Sequence, residues 1–328
     1  MILWLIFIGV VILLLALDLG VFNKNPHAIS THEALGWTIL WVSLALGFSV
    51  VVYFSYENGW VENPDGLTGH AAVIDYITGY LIEQSLSMDN IFVIAIIFGY
   101  FKIPKEYQHR VLFWGILGAL VFRGIMIAVG AVLIQRFEWI VYVFGALLLY
   151  SAYRMLRSKD EEVHPENNPV IRLVRRFYPV TTDFRGDRFF VKEKGITHVT
   201  PLFIALLVVE TTDILFAVDS IPAIFAITRD PFIVFTSNIF AILGLRSLYF
   251  VLAAVLDKFQ YLKYSLVFIL AFVGVKMLLS DVVHPPPWVS LAVIVGAMVV
   301  GIAASWSSFK EKRAAQRTAI QEQEPAEL

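Results

Sequence analysis

Two long apolar runs in this chain carry acidic side chains in their middles, and that juxtaposition constrains the fold more than any other feature. Glu83-Gln84-Ser85-Leu86-Ser87-Met88-Asp89-Asn90 lies inside one run; Glu210-Thr211-Thr212-Asp213 and Asp219-Ser220-Ile221-Pro222 lie inside another. A helix needs about 20 mostly apolar residues to cross a bilayer. That measure places spans at 2–22, 34–54, 71–100, 110–134, 137–156, 198–227, 234–256, 263–279 and 288–306. The expected fold is therefore an all-α polytopic membrane protein with nine transmembrane helices. Composition agrees, with 58% hydrophobic and 16% charged residues and a mean hydropathy of +0.73. In such a chain the bilayer is the solvent, and every polar group inside it must find a partner.

The residue inventory narrows the chemistry. There is no cysteine among the 328 residues, so the chain offers no disulfide, thiolate metal site or thiol redox couple. A net charge of −2 gives no support to nucleic-acid binding. His32-Glu33 is followed by Ala34-Leu35-Gly36, not by a metalloprotease pattern, and no nucleophile–base pair stands out, so an enzyme is not expected. The apolar start through Asp18-Leu19-Gly20-Val21-Phe22 lacks a basic leader and a small-residue cleavage site, and reads as a retained span.

Basic residues set the expected orientation. Most of the 25 Lys and Arg fall after spans 1, 3, 5, 7 and 9, which places those loops in the cytoplasm of a cell (inner) membrane, the N-terminus outside and the C-terminus inside. The division that follows is a two-helix region at 1–70, a three-helix unit at 71–156, a basic loop at 157–197, a second three-helix unit at 198–279, a ninth helix at 280–306 and a cytoplasmic tail at 307–328. Within the loop, Ile171-Arg172-Leu173-Val174-Arg175-Arg176-Phe177 suits an interfacial helix on anionic lipid. Phe184 to Val191, around Gly186, is expected to form a small hairpin, and Ala314 to Leu328 to be disordered.

The two acidic runs repeat one another. Asp89-Asn90-Ile91-Phe92 aligns with Asp213-Ile214-Leu215-Phe216, each with a glutamate upstream, Glu83 and Glu210. Ile116-Leu117-Gly118 aligns with Ile242-Leu243-Gly244, followed by Arg123 and Arg246. Two spans, 4 and 5, lie between the two acidic helices, so they cross in opposite directions. Spans 3–5 and 6–8 then form an inverted repeat, the plan on which many secondary transporters build a substrate site.

Charged groups at the centre of a membrane helix cost about 2.5 kcal/mol or more on insertion scales, and they mark function unless something pairs them. Glu83, Asp89, Glu210, Asp213 and Asp219 are the candidate cation ligands, with Asn90, Ser87, Thr212, Ser220 and Asp18 as secondary candidates. Glu210 and Asp213 share a helix face, whereas Glu83 and Asp89 point apart on any unbroken helix. Pro222 frees the carbonyl of Val218, a further oxygen if the segment kinks. Oxygen ligands of this kind suit Mn²⁺, Mg²⁺ or Ca²⁺ over soft metals. Plainer readings stand beside these. Arg123 and Arg246 are charge partners that could absorb one or two acids structurally, the hydroxyls and amides could simply bond between helices, and the histidines fall at span ends or in loops. Lys276 is expected to extend outward to the interface.

Asp18-Leu19-Gly20-Val21-Phe22, the Glu83–Asn90 segment and Glu210 to Ala223 together resemble the TerC/Alx family of membrane proteins. The likeness implies a transport core similar to the wider LysE-type exporters, and links to manganese efflux and, by name, to tellurium resistance. It also implies that Glu83, Asp89, Glu210, Asp213 and Asp219 handle the cation. The expected function is export of a divalent metal ion, Mn²⁺ first, with no resident cofactor and with protons as the counter-ion. The alternative is a membrane scaffold or tellurium-resistance assembly factor in which the acids only hold helices together. Tellurite, an anion, would be repelled by an acidic cavity.

Overall fold

The structure, a computed structural model, describes residues 2–17, 30–63, 66–157, 169–193, 195–253, 261–282 and 285–323, with 17, 31 and 309–323 by backbone alone. In chain order the elements are α1 (Ile2–Leu17), α2 (Thr31–Glu57), α3 (Gly69–Tyr100), α4 (Lys105–Arg136), α5 (Ile140–Arg157), α6 (Pro169–Phe177), β1 (Phe190–Glu193), β2 (Ile196–Val199), α7 (Pro201–Phe225), α8 (Pro231–Ala253), α9 (Leu262–Leu278) and α10 (Pro287–Gln323). Each of the nine expected spans overlaps a helix; residues 18–22 of the first and 254–256 of the seventh lie outside the described residues. Seven helices of the described residues are long and apolar enough to cross a membrane. The helices at the first and eighth spans, α1 and α9, have 16 and 17 residues, which places them at the short end of a crossing.

Helix starts follow local chemistry. Ser30 and Thr68 accept from the backbone N–H of Glu33 and Ala71, capping α2 and α3. Proline opens α7, α8 and α10, where its missing N–H costs nothing. Asp230 caps α8, its Oδ1 accepting from Phe232 N at 2.8 Å and Ile233 N at 3.2 Å.

The repeat is visible in the packing. The first helix of each unit lies against the second helix of the other, α3 on α8 and α4 on α7, while the third helices, α5 and α9, pack on one another. The α5–α9 seam is reciprocal: a Cβ on Gly145 would sit 3.0 Å from the Gly274 carbonyl oxygen, and one on Gly274 would sit 3.0 Å from the Gly145 oxygen. Leu278 and Leu149, each four residues further on, close over the opposite glycine. Small residues let backbones approach this closely, and in lipid such close packing drives helix association.

Four expectations need correction here. α3 is continuous, and α7 runs unbroken through Pro222 and ends one turn later, so neither acidic helix is interrupted. Pro222 gives up its own bond to the Val218 carbonyl, but the helix continues past it to Phe225. The hairpin lies at Phe190–Val199, not at 184–191; Phe190 pairs with Val199 and Glu193 with Ile196, and Gly195 takes the positive φ of +84 in the turn. Gly186 also has positive φ, but in a turn outside any strand. The tail remains helical to Gln323, because its Ala, Arg, Gln and Glu residues favour helix whether or not they pack; residues 324–328 lie outside the described residues. Lys276 does not extend freely outward: its Nζ donates to Ser290 Oγ at 3.0 Å, on α10.

The basic segment forms the expected short helix, α6. Ile171 is buried at 1% exposure, whereas Leu173, Phe177, Arg172, Arg175 and Arg176 are exposed.

Candidate cation site

Arg123 of α4 is the hub of the interior. Its side chain is 1% exposed, and no cation survives such burial unless carboxylates meet it. One Nη bonds Glu83 of α3. The guanidinium grips Asp213 of α7 with both faces of its fork, Nη2 to Oδ1 at 2.9 Å and Nε to Oδ2 at 3.2 Å. Nη1 also donates to Ser220 Oγ at 3.3 Å. Glu83 is wholly buried and is completed by Asn238 of α8, whose Nδ2 donates to Oε2 at 3.0 Å, and by Ser87 Oγ at 3.4 Å. Asn90 Nδ2 reaches Asp213 Oδ1 at 3.5 Å. One arginine thus ties together α3, α4 and α7, with α8 joined through Asn238.

Beside this hub lies a cavity at the junction of the same four helices, lined in part by Asn90, Thr212, Asp213 and Arg246, with Ile116 and Phe216 among its apolar wall. The cavity volume is about 20 Å³, enough for a water. Asn90, which lines the cavity, has a buried Oδ1 with no hydrogen-bond donor, so its lone pairs are unpartnered. Buried oxygens left in this state attract a cation or a water.

The remaining candidates are dispersed. Glu210 packs against Gly118, where any Cβ would collide with its carboxylate, and its Oε2 is a second buried oxygen lacking a donor. Asp219 accepts from Ser151 of α5, Oγ to Oδ1 at 2.5 Å, which takes it away from the hub. Asp89 is half-buried on α3, one residue before Asn90. Arg246 is buried, its Nη1 donating to His109 Nε2 at 3.0 Å. Thr212 lines the cavity but gives its hydroxyl to the Val208 carbonyl at 2.7 Å. Asp18 lies outside the described residues. Among the described residues no three acidic or histidine side chains converge as a ready-made metal cluster. The five acids therefore do not form one ligand shell here; Glu83 and Asp213 are instead drawn onto Arg123 by the cost of burying charge unpaired.

Comparison with known proteins decides the family. A model described as the integral membrane protein TerC family matches residues 68–314, most of the chain. The chain belongs to the TerC family. An uncharacterized membrane protein of Myxococcus xanthus is 52% identical over 303 residues, covering 92% of this chain and 91% of that one. Alx of Escherichia coli K12, provisionally named a membrane-bound redox modulator, is 43% identical over 316 residues, or 95% of this chain and 96% of Alx. An uncharacterized membrane protein of Rickettsia bellii is 40% identical over 302 residues, at 92% and 96% coverage. No solved structure matches.

For this TerC protein, sequence reasoning missed Asn238, His109 and Ser151. Asn238 sits mid-span in α8, where a single amide in a run of Ile, Phe and Val was a usable signal. Packing also adjusts the internal alignment. Gly118 faces Glu210, and Gly244 faces Gln84, whose Nε2 would lie 3.6 Å from an added Cβ. Gly244 stands as far beyond Gly118 as Glu210 stands beyond Gln84. The counterpart of Glu210 in the TerC repeat is therefore Gln84, not Glu83, which leaves Glu83 free to serve the hub.

Proposed function

We propose that this TerC protein exports a divalent cation, Mn²⁺ in the first instance, from the cytoplasm across the cell membrane through the four-helix junction. The observation that carries the reading is a largely apolar cavity lined by both Asp213 and Asn90, whose Oδ1 has no donor, set against a hub in which Arg123 holds Glu83 and Asp213. Carboxylate and amide oxygens are the ligands that hard divalent ions select. The relatives' redox name does not supply a competing route through the chain's own thiols, since it has none.

The mechanism uses the competition between two cations for Asp213. With the pathway empty, Arg123 occupies the Asp213 fork and braces α4 against α7. An arriving ion, seated by Asp213 and Asn90, displaces the guanidinium from Asp213, and Glu83 with Asn238 keeps it from becoming an unpaired buried charge. The α4–α7 contact is then the element that registers occupancy, which alternating access requires. The cavity lies in the half of the bundle nearer α6 and the hairpin; on the charge assignment that half is cytoplasmic, with the N-terminus outside and the C-terminus inside. Towards the opposite end Ile82, Ile224, Phe225 and Val234 are packed and buried. This arrangement fits a state open to cytoplasmic ions.

The test is Mn²⁺ uptake into inside-out vesicles or proteoliposomes, with protein insertion matched. Saturable wild-type uptake lost in Asp213→Asn and reduced in Asn90→Ala supports the proposal. No wild-type uptake, or uptake indifferent to both changes, transfers the assignment to a scaffold.

A further inference from the structure

A second buried charge centre lies away from this hub, at the end of the bundle where α7 turns into α8 and α9 into α10. Asp75, in the second turn of α3, is 4% exposed, and its Oδ1 has no hydrogen-bond donor. Lys276, in the last turn of α9, acts on it through space, its Nζ held by Ser290 of α10. Thr228 and Asp230, from the α7–α8 turn, complete the surroundings; Asp230 is 2% exposed and spends Oδ1 on the first N–H groups of α8. From α2, Glu57 reaches only the start of α3, where it accepts from Gly69 N at 3.0 Å. Asp75 stands 15 residues before Asn90 on one unbroken helix, about 22 Å at 1.5 Å per residue, so the two centres share no ligand.

This centre is unsuited to a metal and suited to a proton. The lysine ammonium beside Asp75 repels a divalent ion, and the second carboxylate, Asp230, is committed to capping. A donorless carboxylate oxygen in a buried site has a simple remedy, an O–H bond of its own, which also removes the charge that burial penalises. Lys276, together with a hydrogen bond from the Thr228 side chain, is the opposing influence that keeps the anion in place. The two act across a helix contact, α3 to α9, that belongs to both repeats.

We propose that Asp75, poised by Lys276, is a proton-binding site separate from the cation cavity, and that its protonation state is what couples proton entry to cation exit. The coupling rests on the transport reading; the proton site does not. In the cycle, a proton from the bulk phase at this end forms an O–H bond on Asp75, no other bond changes, and the attraction between α3 and Lys276 is released. Deprotonation to the opposite phase restores it. Two charge centres on one rigid helix give such coupling a physical carrier.

Two readouts test the proposal on the full chain. Infrared difference spectra of the purified protein between acid and alkaline buffer are expected to contain a protonated-carboxyl band that Asp75→Asn abolishes, Asp75→Glu shifts, and Lys276→Met alters in its titration. A spectrum unchanged by Asp75→Asn and Asp75→Glu overturns the site. In proteoliposomes, Asp75→Asn is expected to lose Mn²⁺ uptake driven by an opposing proton gradient while keeping Mn²⁺-for-Mn²⁺ counterflow. Gradient-driven uptake that survives, or loss of counterflow as well, overturns the coupling role. Wild-type protein without either flux refutes the transport reading alone, and the infrared result still judges the proton site.

Discussion

Replacing Arg123 by methionine removes the cation at the centre of the hub while keeping most of the side chain's volume. Glu83 is 0% exposed and cannot turn to water when its partner goes, and Asp213, 12% exposed, meets only the small cavity. Breaking a buried ion pair by deleting one member costs about 3–5 kcal/mol, because the remaining charge stays buried. Here two carboxylates are stranded, but Asn238 and Ser87 still donate to Glu83, and Asn90 reaches Asp213. Protonation of one acid offsets part of the loss. The expected destabilisation of Arg123→Met is therefore about 3–5 kcal/mol and not twice that.

The assay is reversible unfolding in mixed micelles, read by tryptophan fluorescence, with Glu83→Gln and the double variant measured alongside. Asn238 can donate to a glutamine oxygen as it does to the carboxylate, so Glu83→Gln in the Arg123→Met background should recover stability. A coupling of about 1–3 kcal/mol in that cycle is expected for groups in direct contact. Arg123→Met within about 1 kcal/mol of wild type, or strictly additive single and double variants, would refute the claim that burial of paired charge organises this core.

Other consequences are more local. Gly118→Ala drives a Cβ into the Glu210 carboxylate, so Mn²⁺ uptake should fall with insertion intact, whereas Gly124→Ala, whose Cβ would meet only the Phe235 ring at 3.5 Å, should leave uptake near wild type. Gly145→Leu and Gly274→Leu should each destabilise the seam by about 1–3 kcal/mol or more, and by similar amounts because the contact is reciprocal; unequal unfolding midpoints would contradict that symmetry. Replacing Arg172, Arg175 and Arg176 of α6 by glutamine should weaken binding of the isolated 169–178 peptide to anionic vesicles by about 1 kcal/mol per residue, leaving neutral vesicles little affected. Equal loss on both vesicle types would remove the lipid role from this helix.

Much of the hub was legible in the sequence because burying charge in a membrane costs more than any local conformational preference can offset. Glu83, Asp213 and Arg123 announce themselves by depth alone, and the structure brings all three together. The repeat was legible in outline, yet its register was not. Matching Asp89 to Asp213 weighs identical side chains, whereas the packing is set by where a side chain is missing, as at Gly118 and Gly244. Asp75 escaped notice, and Lys276 was expected to reach the interface, for a different reason. Each lies within two turns of its helix end, where a charge ordinarily reaches water, and only the covering by α10 and the α7–α8 turn buries Asp75. The hairpin was displaced because two glycines compete for the turn, and strand pairing with 179–181, closed by Thr181 N to Val199 O at 2.9 Å, favours Gly195.

The distribution of polar contacts indicates which parts of this TerC protein would have to move on the transport reading. α3, α4, α7 and α8 interlock through Arg123 and Asn238, so they respond together. The α5–α9 pair meets that group largely through apolar surfaces, with one hydrogen bond from Ser151 to Asp219 and the charge of Lys276 acting through space on Asp75. A rocking motion that left the hub intact would have to make and break these links. The Asp219 link therefore gains a meaning that does not depend on closeness to Arg123. An acid that ligates no ion still governs transport if it holds the four-helix group against the seam, and Ser151→Ala, which removes its donor without touching the cavity, separates that role from cation binding. Uptake with altered maximal rate and unchanged half-saturation for Mn²⁺ is the expected signature; a shift in half-saturation alone would return Asp219 to the ligand set.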